Sequence, residues 1–132
     1  MAVAKDIHAV VFRNATATFM SRVENASGLV INQASVESIL YTVYELDKED
    51  PTVLTPVTGH QNVALSVSNV VYDVLQLDSA WTVDTVGYNF RHELDVSLNE
   101  AFSSAGEIYQ VRYELTPVLG QKIVFRFQVR CL

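Results

Sequence analysis

"YQVRYELTPVLGQKIVFRFQV", residues 109–129, decides the fold class. Tyr109, Val111, Tyr113 and Leu115 alternate with Gln110, Arg112 and Glu114. Beyond Pro117 and Gly120 the alternation resumes, with Ile123, Phe125, Phe127, Val129 and Cys131 set against Lys122, Val124, Arg126, Gln128 and Arg130. A period of two over aromatic and branched residues is the pattern of half-buried antiparallel strands. Both runs put odd-numbered residues on the apolar face, so the connection must preserve parity. A three-residue loop, Val118-Leu119-Gly120, does so, with Gly120 in the left-handed conformation of a bulged turn. The inner face of this hairpin is predicted core, and Tyr113, Phe125 and the upstream Phe90 are its large members.

Working outward, "YNFRHELDV" places Phe90, His92, Leu94 and Val96 on one face. This strand (88–96) and the hairpin strands (107–116 and 122–131) are expected to form much of one sheet. "VESILYTVYEL", residues 36–46, is apolar on both faces, which predicts a central strand or one whose outer side a partner covers. "ATATFMSRV" puts Ala15, Ala17, Phe19 and Val23 together before a turn at "ENASG". "NVALSV" is a short strand, and "SNVVYDVLQL" fits either a strand or a helical turn. "DSAWTVDTVG" is a loop or bent edge segment, and "LNEAFSSAG" links two strands. Seven to eight short strands with regular turn signals predict an all-β fold, an antiparallel immunoglobulin-like β-sandwich. It covers residues 15–132, preceded by an N-terminal arm or first strand at 1–14.

With 132 residues, 49% of them hydrophobic, folding removes roughly two-thirds of the unfolded surface. One domain of this kind requires neither metal nor disulfide, and no cofactor is expected. Fifteen acidic against nine basic residues give a formal charge of −6. That balance argues against nucleic acid or an anionic membrane as the main partner. Cys131 is the single cysteine and has no intrachain partner, so a disulfide framework is excluded. "MAVAKDIHAVVFRN" lacks a long apolar run, and neither a signal peptide nor a membrane span is expected. The triplets Asn14-Ala15-Thr16 and Asn25-Ala26-Ser27 then read as chance matches to a glycosylation pattern.

Candidate chemistry is sparse. His8, His60 and His92 lack metal-ligand spacing, and His92 reads as a core or rim histidine bonded to backbone. Glu45, Asp47, Glu49 and Asp50 are carboxylates of the kind calcium prefers, but without the spacing of a calcium loop they read as a solvated turn. There is no nucleophile elbow and no phosphate-cradling glycine loop, so no catalytic residue is assigned and the chain is not expected to be an enzyme. Lys122, Arg126, Arg130 and Arg112 form a basic stripe, read as a solvent face paired with Glu107 and Glu114. The remaining feature is "IHAVVF", residues 7–12. It is either the first strand of the sandwich or an arm that docks on another subunit by strand addition. Ile7, Val10, Val11 and Phe12, together with the lone Trp81, are the candidate partner-binding residues. Trp81 is either a contact residue or a lid over the domain's own core.

The succession "ATATFMSRVENASG", "SVESILYTVYELD", "GYNFRHELDVS", "AFSSAGEIYQVRYELTP" and "GQKIVFRFQV" resembles small immunoglobulin-like domains of tailed-phage structural proteins, nearest to the N-terminal domain of baseplate upper proteins. The likeness spans roughly residues 15 to 130 and rests on strand pattern, with "AGEIYQVRYELTP" its most recognisable part. The resemblance implies a non-enzymatic virion structural protein, assembled in the host cytoplasm, that binds itself and capsid or tail subunits as a homo-oligomer within the assembly. Capsid decoration or cement is the leading role. Alternatives are a baseplate or neck subunit, or a bacterial immunoglobulin-like adhesion or carbohydrate-binding module.

Overall fold

In the computed structural model, which describes the backbone of residues 6–132 and the side chains from Ala9 onward, the alternating segments become two facing sheets. The strands are β1 (Asp6–Val11), β2 (Thr18–Ser21), β3 (Val36–Leu46), β4 (Leu54–Pro56), β5 (Val63–Leu65), β6 (Val71–Gln76), β7 (Tyr88–Glu93), β8 (Ile108–Pro117) and β9 (Ile123–Cys131). One sheet runs β1-β9-β8-β3-β4, with β5 also on β3; the other runs β2-β7-β6. Every ladder is antiparallel except β1 with β9. The chain is an all-β sandwich.

The hairpin follows its parity. Tyr113 pairs with Phe125 and Leu115 with Ile123, the register a three-residue loop at 118–120 imposes. Gly120 has a φ of 100°, which an L side chain rarely adopts. Tyr109, Val111, Tyr113 and Leu115 of β8 are buried, as are Phe127, Val129 and Cys131, while Phe125 is half-buried. β3 occupies the span its pattern predicts and is central, with β8 on one side and β4 and β5 on the other. "SNVVYDVLQL" resolves into both predicted forms: one helical turn, α1 (Val67–Val70), runs straight into β6.

The sheet expected for residues 88–96 is wrong. β7 does not lie beside β8 and β9 but across from them, in the other sheet. Phe90 meets Tyr113 and Phe125 edge-on, with ring centres 4.8 and 5.0 Å apart. Alternation tells which residues face the core, but it is the same for a neighbour in the sheet and a neighbour across it. The link between the two sheets is also more than a connector. Ala101 and Phe102 are fully buried, and Phe102 stands edge-on to Tyr109 at 5.4 Å.

Candidate functional site

β1 and β2 end their respective sheets, so each has an edge without a strand partner among the described residues. Between them opens a groove of about 340 Å³ whose walls include Val10, Val11, Phe12, Phe19, Trp81 and Val83. The structure thus brings together four of the five residues singled out in the sequence. Val11 is core, whereas Val10 and Phe12 are 58% and 68% exposed. Ile7 pairs along the backbone with Phe127; its side chain, like residues 1–5, lies outside the described residues. Phe19 and Val83 went unassigned in the sequence because a buried strand residue and a loop valine carry no sign of a shared groove.

Trp81 stands at the groove wall, and a compact polar anchor fixes it. Its Nε1 donates to Asp84 Oδ1 at 2.8 Å, and Arg22 Nη1 donates to Asp84 Oδ2 at 2.7 Å. The backbone N–H groups of Val86 and Gly87 donate to Oδ1 at 3.0 and 3.1 Å. Hydrogen bonds from Trp81, Arg22 and these amides hold the Asp84 carboxyl far below the usual carboxylate range. The indole also rests 5.6 Å from the Tyr88 ring. Tyr88 Oη donates to Asp78 Oδ2 at 2.7 Å, which pushes the phenol up to about 12 and lowers the carboxyl. Gly87 is required here: its φ is 110°, and a Cβ would come within 2.2 Å of the Gln76 carbonyl oxygen. A half-buried aromatic held in one orientation loses little entropy on meeting a partner.

A second polar group lies inside the sandwich. His60 Nε2 sits 2.7 Å from the Asn99 carbonyl oxygen, which can only accept, so Nε2 carries the proton. His60 Nδ1 then accepts from Tyr41 Oη at 2.8 Å. His92 Nδ1 and Tyr113 Oη are 2.8 Å apart, so His92 is bonded to a side chain in the facing sheet and not to backbone. The rings of Tyr41 and His92 lie 5.0 Å apart. Burial, reinforced by the nearby His60, lowers His92 to about 4, so it is neutral at pH 7. Burial raises Tyr113 well above its ordinary value, and burial plus the Asp95 charge raises Tyr41. These four rings tie the sheets together in the interior, and Tyr113 packs on Phe19 and Phe127 behind the groove wall.

The charged surfaces sort differently from their sequence reading. Glu107 pairs with Lys48 at 3.0 Å, not with the basic stripe. In the acidic turn, Asp47 and Asp50 accept hydrogen bonds from the turn's own residues 49, 50 and 52. Among the described residues no three His, Cys, Asp or Glu side chains are grouped to hold a metal ion, and no helix is long and apolar enough to cross a membrane. Cys131 is buried, with its thiol pushed up by burial. No protein-family model, curated protein or solved structure matches the chain.

Proposed function

We propose that this chain is a non-enzymatic structural protein of a tailed-phage virion that binds neighbouring subunits through the groove between β1 and β2. The observation that carries the binding role is the convergence of exposed Val10 and Phe12 with the anchored Trp81 beside two strand edges that have no strand partner among the described residues. Apolar side chains next to unpaired backbone groups suit an extended segment of a neighbour, which satisfies both at once. An aromatic anchor in such a groove is the kind of residue that dominates interface energetics.

The virion assignment rests on the sequence resemblance, and the strand order supports the immunoglobulin-like part of it. Strands β9, β8 and β3 facing β2, β7 and β6 follow the order G, F, C against B, E, D. Capsid decoration or cement is the role that best suits a small β-domain with a surface groove.

The test is to purify tailed particles from a lysate containing the chain and decorate them with gold-labelled antibody raised against it. Label at a repeated position on the particles is the expected result. Particles without label, with all of the chain in the soluble fraction, contradict the reading.

A further inference from the structure

β9 departs from its own burial pattern at one end. Phe127, Val129 and Cys131 are buried, yet Ile123 and Phe125, of the same parity, are only half-buried. The described ladder from β1 reaches back no further than Arg126, and β2 ends at Ser21. Here a cleft of about 690 Å³ opens between the start of β9 and the residues that follow β2. Val23, Ile123 and Phe125 are among its apolar walls; Lys122 lines it from the β9 side and Glu24 from the β2 side. Half-open apolar side chains gain by an apolar cover.

A matching cover is on the same chain. The turn between β8 and β9 presents Leu119, 88% exposed, beside Val118, 57% exposed. This turn is held in place, since the Val118 N–H donates to the Ser35 carbonyl at 3.0 Å. A leucine displayed on a fixed turn has little freedom left to lose when a partner meets it. Leu119 precedes Ile123 by four residues, and β9 is already extended from Ile123. The tip therefore does not fold back into its own cleft, but the two lie close enough for one two-fold axis to serve both. The flanking charges are complementary as well. Glu24 and Lys122 are exposed, and neither enters an ion pair among the described residues.

We propose that two copies of this chain form a two-fold dimer in which Leu119 of each enters the cleft of the other, with Lys122 of each facing the other's Glu24. A two-fold contact of this kind closes on itself, so association stops at two. The surface is separate from the groove between β1 and β2, and the inference does not depend on the virion reading.

Sedimentation equilibrium of the full chain tests it. The wild type is expected to dimerise and to go no further. Leu119→Asp, at a position too exposed to matter for folding, should weaken dimerisation about tenfold or more, because it buries an unpaired charge. Lys122→Glu and Glu24→Lys should each weaken it too, since each sets like charges against one another at both ends of the contact. Mixed together, these two variants should pair with each other more tightly than either pairs with itself. Phe12→Asp, in the groove, should dimerise like the wild type; its loss of the dimer would assign the contact to the groove and overturn the proposal. A wild type that is monomeric at high concentration, its cleft left to residues 1–5 or to another protein, overturns it as well. So does a Leu119→Asp chain, folded by circular dichroism, that dimerises like the wild type, or a mixture of the two charge variants that gains nothing over either alone.

Discussion

β8 and β9 pair without interruption from Ile108 with Arg130 to Leu115 with Ile123, whereas β6 meets β7 in register only at Val71 with Phe90 and Gln76 with Tyr88. In the first region every second side chain enters the core, and burial holds the strands. In the second the ladder is broken, and side chains such as Asp84 and Asp78 bind the loop that follows. Continuous alternation makes a rigid wall. A broken ladder with polar anchors leaves Trp81 and its neighbours at the surface, where a partner can reach them.

The change that should damage both regions most is Phe90→Ala, because this ring from β7 fills the space against β8 and β9. A loss of about 3–5 kcal/mol in urea unfolding is expected, the range for a large aromatic removed from a packed interior. A loss under about 1 kcal/mol would show that the sheets do not share one core.

Acid should loosen the bond between the sheets next. His92 titrates near 4 when folded and near 6.5 when unfolded. As pH falls through that window the unfolded chain takes up a proton that the folded chain refuses. Stability present above 6.5 is therefore lost towards 4, by roughly 3 kcal/mol. The groups facing His92 and its partners are Tyr41, Tyr113, His60 and Asp95. Comparing unfolding free energies at pH 7 and 4.5 in the wild type and in His92→Gln isolates this effect. An equal drop in both chains would assign it to the carboxylates instead.

A smaller and more local effect is expected from Asp84→Ala, which removes the acceptor for Trp81 and Arg22. A loss of stability smaller than that of Phe90→Ala should be measured in urea unfolding. Hydrogen exchange should speed up at residues 78–87 and stay slow in β8 and β9. Uniform loss of protection would contradict the division between a burial-held wall and an anchored loop.

These two regions also differ in how far their sequences disclose them. The alternation from Tyr109 to Val129 is enough to define face, register and turn, because burial and register are both written in local parity. β3 is legible for the same reason. The parallel pairing of β1 with β9 joins segments over a hundred residues apart, and no local pattern marks it. The same is true of the choice of sheet for β7 and of the bonds from Tyr41 to His60 and from His92 to Tyr113. Ala101 and Phe102 were hidden in a link of polar and small residues. At the groove, Val10, Val11, Phe12 and Trp81 stand out as apolar residues without an obvious core position, while nothing in the loop segment "DSAWTVDTVG" marks Asp84 as an anchor.

The central claim is that the groove serves a partner and not the fold, and Phe12→Asp tests it most directly. Phe12 is largely exposed, and an exposed substitution away from special features changes stability by about 0.5 kcal/mol or less. The variant and the wild type should be compared both for unfolding free energy and for incorporation into particles. The account predicts nearly unchanged stability with incorporation lost. Full incorporation of a normally stable Phe12→Asp chain would contradict it.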